Sequence, residues 1–247
     1  MPIFLLIIGL QIACIVDVVR NGRSTIWIMA LMFLPVASLV AYVIVEVMPR
    51  MKHNRHVRGA RAQIVDKIDP ERELRAAREA LDVAKTAANR IRLGDALSER
   101  ARHGEAIPHY RDAIGGGPPD YRTGEKLARA EYLSDQSVRA LDTLERMEVP
   151  SAKADLDRIA VLRARVLEEL GRDDQAAPLY AGVVDRFAGD EVRCRYAGLL
   201  IRQGKVGDAR RLLGEVEHRL KRMTRQQRAS DAQMYDWAMG ELVKLRS

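Results

Sequence analysis

The residue types that carry catalytic or metal-binding chemistry are few in this 247-residue chain, and they are scattered. The histidines and cysteines show neither the spacing of a metal site nor a histidine placed to activate a thiol. They are His53, His56, His103, His109, His218, Cys14 and Cys194. The glycine-rich segment 115–119 lacks the Lys-Ser or Lys-Thr that follows a phosphate loop, so we interpret it as a turn. The sequence therefore predicts no catalytic residue, no metal and no cofactor, which favours a protein that is not an enzyme.

Three pairs of arginines are the clearest candidates for binding. The members of each pair are seven residues apart, which places them on one face of a helix. The pairs are Arg122 with Arg129, Arg158 with Arg165, and Arg195 with Arg202. If these faces converge, the guanidinium groups would suit an acidic peptide or a chain-terminal carboxylate, with Tyr132 adding an aromatic contact. The alternative is that the arginines only solvate a helix face or pair with Glu125, Glu168 and Glu169.

Helices must position these arginines, because the chain beyond residue 60 is rich in Ala, Arg, Leu and Glu and has almost no strand-favouring runs. Small residues recur there at intervals of 34, 36 and 33 residues, at Ala106, Ala140, Ala176 and Ala209. The first unit also has Leu93-Gly94, Tyr110, Ala113 and Pro118 at fixed places. This pattern resembles the tetratricopeptide repeat family over residues 87–223. It is strong in the first unit and more divergent in those that begin near residues 121, 157 and 190.

The resemblance implies two antiparallel helices per repeat, which cross where only small residues let the backbones approach. The predicted packing positions are Gly94, Ala106, Tyr110, Ala128, Ala140, Ala164, Ala176, Ala197 and Ala209. Stacking about four repeats would give an all-α, TPR-like solenoid with a groove lined by the first helix of each repeat. The residues beyond Leu220 would form a C-terminal capping helix, and 71–84 a helix before the array.

Two apolar runs at the N-terminus predict a membrane anchor. The second, Ile26–Val45, would reach about 30 Å as a helix, which matches the hydrocarbon core of a bilayer. The first, Ile3–Val16, spans only marginally, and a hairpin that dips into the inner leaflet is the alternative. A cleaved signal peptide is disfavoured because the chain lacks a basic n-region. We therefore expect a two-helix transmembrane hairpin over residues 1–49.

The residues of this hairpin, from Arg20 to Trp27, Leu34-Pro35 and from Ala41 to Pro49, carry a second resemblance. They are similar to the N-terminal membrane hairpin of bacterial cardiolipin synthases and other phospholipase D-type proteins. Catalysis in that family belongs to paired His-x-Lys-x4-Asp motifs. No histidine of this chain is followed by x-Lys, so the resemblance implies the hairpin and not the activity.

Much of the net charge of +7 lies next to this hairpin. The segment Arg50–Lys67 has six basic residues against Asp66 alone. Six basic residues after the hairpin, against two in its turn, predict that the chain beyond it is cytoplasmic. Within the segment, anionic lipid head groups would contact Arg50, Lys52, Arg55, Arg58 and Arg61, although the charge could serve only to set topology. A second basic cluster, 219–228, has no interleaved aromatic residues, so nucleic-acid binding is disfavoured.

Together these patterns predict three parts: a membrane anchor over 1–49, a basic juxtamembrane linker over 50–68 and a TPR-like repeat domain over 69–247. The expected function is a non-enzymatic scaffold that binds a protein partner at the cytoplasmic face of a bacterial inner membrane. The alternative is a non-catalytic regulatory or lipid-sensing subunit associated with phospholipid synthesis, which only the hairpin resemblance suggests.

Overall fold

The computed structural model describes residues 11–12, 14–20, 26–33, 69–187 and 189–246. The chain divides into two compact units, Met1–Arg72 and Glu73–Ser247. Within the described ranges the regular elements are all helices. They are α1 (Ile26–Phe33), α2 (Arg72–Val83), α3 (Ala87–Glu99), α4 (His103–Ile114), α5 (Tyr121–Tyr132), α6 (Ser137–Arg146), α7 (Lys153–Glu169), α8 (Asp173–Val183), α9 (Glu191–Arg202), α10 (Val206–Leu220), α11 (Arg225–Ala229) and α12 (Ala232–Arg246).

In the first unit, the helical residues 14–20 pack against α1 around a small apolar cluster of Cys14, Val18 and Leu31. Among the described residues, no helix has both the length and the apolar character needed to span a bilayer. The predicted localisation, a two-span protein of the inner membrane, is therefore wrong.

Other predictions for the N-terminal region fall on residues that the structure does not describe. They include residues 3–10 and 34–45 of the two apolar runs, most of the loop between them, and the whole basic linker 50–68. The lipid-binding positions Arg50, Lys52, Arg55, Arg58 and Arg61 therefore lie outside the described residues, as do His53 and His56.

In the second unit, residues 87–220 form consecutive antiparallel helix pairs: α3 with α4, α5 with α6, α7 with α8, and α9 with α10. Each pair packs against the next, and the first helices α3, α5 and α7 contact one another in order. α2 packs at the start of the array through Leu74 and Ala77. α12 packs at its end against α10 and α9. The all-helical, TPR-like solenoid predicted from the sequence is thus present.

The positions predicted for close packing are all buried. Each of the seven alanines is completely inaccessible to solvent, and Gly94 and Tyr110 are also in the core. A Cβ atom added at Gly94 would stand 2.6 Å from Cε1 of Tyr110, so α3 and α4 can approach only because residue 94 lacks a side chain. In the following repeats the equivalent pairs are Ala128 with Leu144, Ala164 with Tyr180, and Ala197 with Leu213.

The buried apolar side chains of this unit form two clusters that meet at α5. The smaller cluster extends from Leu74 on α2 to Leu127 and Ala130 on α5. The larger one begins at Ala128 and extends to Leu242 on α12. α5 therefore contributes to both clusters.

The turn between the two helices of each repeat has a residue with positive φ at the same repeat position. These residues are Ala101 (57°), Asp135 (59°), Gly171 (68°) and Gly204 (72°). They are separated by 34, 36 and 33 residues, the same intervals as the alanines, so the turns and the helix packing follow one repeat length. A left-handed backbone suits glycine and is unfavourable for a residue with a Cβ atom.

We expect Ala101→Gly to raise the free energy of unfolding by about 0.5–1 kcal/mol, because it removes the Cβ from a left-handed position. The reverse change at the equivalent position of the third repeat, Gly171→Ala, should lower it by at least as much. Denaturant-induced unfolding monitored by circular dichroism measures both changes. Equal stability of the two variants would contradict the assigned turn conformation.

Candidate partner-binding groove

The first helices of the repeats form one face of the array, and local signals fix where they begin. α5 starts after Asp120, whose carboxylate accepts the backbone N–H groups of Arg122 at 3.0 Å and Thr123 at 3.1 Å. At the end of the array, the buried carboxylate of Asp190 accepts the Tyr235 hydroxyl at 3.4 Å. This bond ties α12 to the start of α9.

On α5 and α7 the predicted arginines surround Glu125, a buried carboxylate. Arg129 donates to Glu125 at 2.8 Å, and Arg158 donates to it at 2.7 to 2.8 Å. Arg158 also pairs with Asp155 at 2.9 Å. The hydrogen bond to Glu125 raises the pKa of Arg158. Arg122 instead lies over the ring of Tyr121, 5.5 Å from its centroid, and donates to its hydroxyl.

On α7 and α9 the arginines share Glu168 and Glu191. Glu168 accepts from Arg202 at 3.1 Å and Arg195 at 3.4 Å. Glu191 accepts from Arg165 at 2.7 Å and Arg195 at 3.1 Å. Two ion pairs join α7 to α9. In one, Arg165 of α7 pairs with Glu191 of α9, and in the other, Arg202 of α9 pairs with Glu168 of α7.

Arg202 has a further carboxylate partner at the start of α8. It pairs with Asp173 at 2.7 Å, and this hydrogen bond lowers the pKa of the Asp173 carboxyl. The Tyr180 hydroxyl donates to Glu168 at 3.0 Å, so that carboxylate connects three elements. The face is thus a network of alternating charges.

The structure therefore brings the predicted arginines onto one face, but it brings carboxylates with them. All of them except Arg122 form ion pairs within the chain. Glu125 and Glu168 were foreseen as alternative partners, whereas Glu191 and Asp173 were not. Tyr132 is half-buried and packs against the larger apolar cluster. Whether these residues contact a partner stays a prediction.

A cavity of about 520 Å³ opens on this face, between α7, α9 and α12. Its lining residues are Glu168, Glu191, Cys194, Arg195, Gly198, Arg202, Asp231, Met234 and Trp237. Trp237 is 40% exposed although it is large and apolar. A Cβ atom at Gly198 would stand 3.3 Å from the indole, so the glycine leaves room for the ring. The sequence indicated Met234 and Trp237 only as parts of a cap and did not predict this cavity.

The environment of the cysteine in the lining disfavours the thiolate form of its side chain. Cys194 is buried, and burial raises the pKa of its thiol to about 12. The reactive thiolate is therefore scarce at neutral pH. Within the described part of the chain, no group of three or more His, Cys, Asp or Glu side chains could hold a metal ion. The arrangement can bind, through charge and an exposed aromatic ring.

The glycine-rich segment lies in the turn after α4, where Gly115 has a φ of 71°. Its glycines border a second cavity of about 370 Å³, which Arg111, Arg139 and Arg146 also line. Arg111 pairs there with the buried carboxylate of Glu131 at 2.8 Å, and Arg146 with Asp142 at 3.5 Å. Two of the three arginines that line this cavity are thus paired with carboxylates of the chain, and Arg139 donates to the side-chain amide of Gln136.

Comparison with known proteins supports the fold alone. No protein-family model matches the sequence, and no curated protein matches it. Among solved structures, that of MamA, a TPR-type helical repeat protein, is similar with a TM-score of 0.51 and 16% identity, over 60% of this chain and 89% of that one. The structure of Naa15/Naa10 bound to HypK-THB gives a TM-score of 0.31 at 13% identity, over 77% of this chain and 35% of that one. A TM-score of this size does not establish a shared fold. None of these comparisons supports the N-terminal resemblance to phospholipase D-type proteins.

Proposed function

We propose that this protein is a non-catalytic scaffold that binds a segment of a partner protein along the first helices of its repeats. The cavity between α7, α9 and α12 would hold an anchoring side chain of that segment. The observation that carries the proposal is the exposed Trp237 in the wall of this cavity. Tryptophan is enriched among the residues that contribute most to protein–protein binding.

Two further features support a binding role. The cavity is lined by apolar and charged side chains together, as in sites where a few polar groups orient a ligand that apolar contacts hold. The ion pairs along α7 and α9 hold the arginines in place before any partner arrives. A face that is ordered in advance loses less conformational entropy on binding.

The test is a selection of random 12-residue peptides, displayed on phage, against the purified full chain. Selected peptides should bind the Trp237→Ala variant at least about thirtyfold more weakly, since loss of a central aromatic anchor costs about 2 kcal/mol or more. Val243→Ala is the matched control, because Val243 is an exposed apolar residue of the same helix that does not line the cavity.

A thermal melt of both variants separates loss of binding from loss of the fold. If the selected peptides bind Trp237→Ala as tightly as the native chain while the variant remains folded, the cavity is not the site and the proposal is wrong.

A further inference from the structure

The charge around the Trp237 cavity bears on the chemistry of its ligand. The lining has three carboxylates, Glu168, Glu191 and Asp231, against two guanidinium groups, Arg195 and Arg202. Its formal balance is therefore negative by one charge. The sequence had predicted the opposite, a basic groove for an acidic peptide.

The two guanidinium groups are already engaged inside the chain. Arg202 donates to Asp173 and Glu168, and Arg195 to Glu168 and Glu191. The charge of either arginine is therefore already balanced by carboxylates within the chain. An acidic ligand that used the remaining guanidinium N–H groups would also lie beside these carboxylates, so little free energy would be gained.

Asp231 differs from the other carboxylates of the lining. It is exposed and directly precedes α12, and the hydroxyl of Ser230 donates to it at 3.0 Å. No ion pair involves it within residues 69–187 and 189–246. A cation that entered the cavity could therefore pair with Asp231 without breaking a contact of the chain.

The remaining wall suits the rest of a long cationic side chain. Met234 and Trp237 offer apolar surface for its methylene groups, and an indole face attracts a cation electrostatically. Lysine and arginine combine an apolar stem with a charged tip, which matches an apolar wall beside an unpaired carboxylate.

We infer that this cavity binds a lysine or arginine side chain from a basic segment of the partner protein, with its stem against Met234 and Trp237 and its charge at Asp231. The inference rests on the proposed function and specifies the partner's chemistry. It reverses the ligand charge that the arginine spacing suggested.

The experiment uses the same displayed library of random 12-residue peptides and the full chain. Peptides whose binding depends on Trp237 should be enriched in lysine and arginine relative to the unselected library. For a synthetic peptide of the enriched sequence, Asp231→Asn should raise the dissociation constant about threefold and Asp231→Lys about tenfold, with smaller effects at high salt. The charge-matched control is Asp82→Asn, which should leave the dissociation constant unchanged. Asp82 is exposed on α2, at the start of the array, whereas the cavity lies at its end.

Binding can be read directly from the indole. The chain has two tryptophans, so a Trp27→Phe background leaves Trp237 as the sole tryptophan reporter. Enrichment of acidic peptides, enrichment without a charge preference, or equal affinity of Asp231→Lys and the native chain would each overturn the inference and leave the proposed function standing. If no selected peptide depends on Trp237, the proposed function fails and the inference fails with it.

Discussion

Gly94→Leu is expected to lower the free energy of unfolding by about 3 kcal/mol. Even the first atom of the new side chain would stand 2.6 Å from the ring of Tyr110. That ring cannot move aside easily, because it is buried and its hydroxyl donates to Asp95 at 2.9 Å. The two helices of the first repeat would have to separate. Denaturant-induced unfolding of the full chain measures the loss.

The matched control is Gly240→Leu on α12, where no atom beyond the adjacent residues and the local helix backbone lies within 4 Å of the added Cβ. Stability should stay the same or rise there, because leucine favours a helix by close to 1 kcal/mol over glycine. A double-mutant cycle of Gly94→Ala with Tyr110→Leu tests the contact itself. It recreates the pair Ala128–Leu144 of the second repeat, so the double variant should be more stable than the two single losses predict. Additive losses would show that the Gly94–Tyr110 contact is not the cause.

Arg111→Leu is expected to lower the free energy of unfolding by about 2–3 kcal/mol at neutral pH. The Glu131 side chain is only 2% exposed, and Arg111 is its ion-pair partner at 2.8 Å. Its second oxygen accepts the Thr143 hydroxyl at 2.7 Å. Without the arginine, a carboxylate would remain in the interior with one neutral donor. Because the Arg111 side chain is itself 50% exposed, water can reach the vacated position, and the loss is smaller than for a fully enclosed pair.

Two comparisons isolate the buried charge. Arg163→Leu removes an exposed pair with Glu145 at 3.1 Å and should cost less than about 1 kcal/mol. Replacing Arg111 and Glu131 together with leucine removes the charge along with its partner, so most of the stability should return. A loss at Arg111 no greater than that at Arg163 would mean that water solvates Glu131 in the native state.

The fold of the repeat region could be predicted from the sequence because its determinants are local and periodic. The crossing of two helices requires a small residue at a fixed place, and this requirement recurs at Ala106, Ala140, Ala176 and Ala209. The helix before the array was predicted over 71–84 and is observed as Arg72–Val83. Neither prediction depends on contacts between residues far apart in the chain.

The candidate site could be predicted only in part, because its contacts join distant residues. The spacing of the arginines placed them on one helix face, but Arg202 reaches Glu168 and Asp173 across 34 and 29 residues. Two pairs, Glu125–Arg129 on α5 and Glu191–Arg195 on α9, are four residues apart and could be visible as local patterns, and of these carboxylates only Glu125 was named as a partner. The exposure of Trp237 depends on how α12 folds back against α9. No pattern within α12 alone indicates it.

The prediction of localisation failed for a different reason. A hydropathy run shows how apolar a segment is, and does not by itself establish that the segment spans a bilayer. Of the run from Ile26 to Val45, the structure describes residues 26–33, which form α1.

The shared position of α5 determines how a perturbation travels along the array. In stacked repeats each unit is stabilised mainly by its immediate neighbours, so cooperativity between the ends depends on the elements that connect them. Leu127 and Ala130 belong to one apolar cluster and Ala128 to the other, so this single helix is the energetic coupling between them. Fraying of α2 to α4 leaves most of the larger cluster intact, whereas melting of α5 weakens both. Stabilisation of the far end by a bound partner is therefore expected to reach the first repeat mainly through α5.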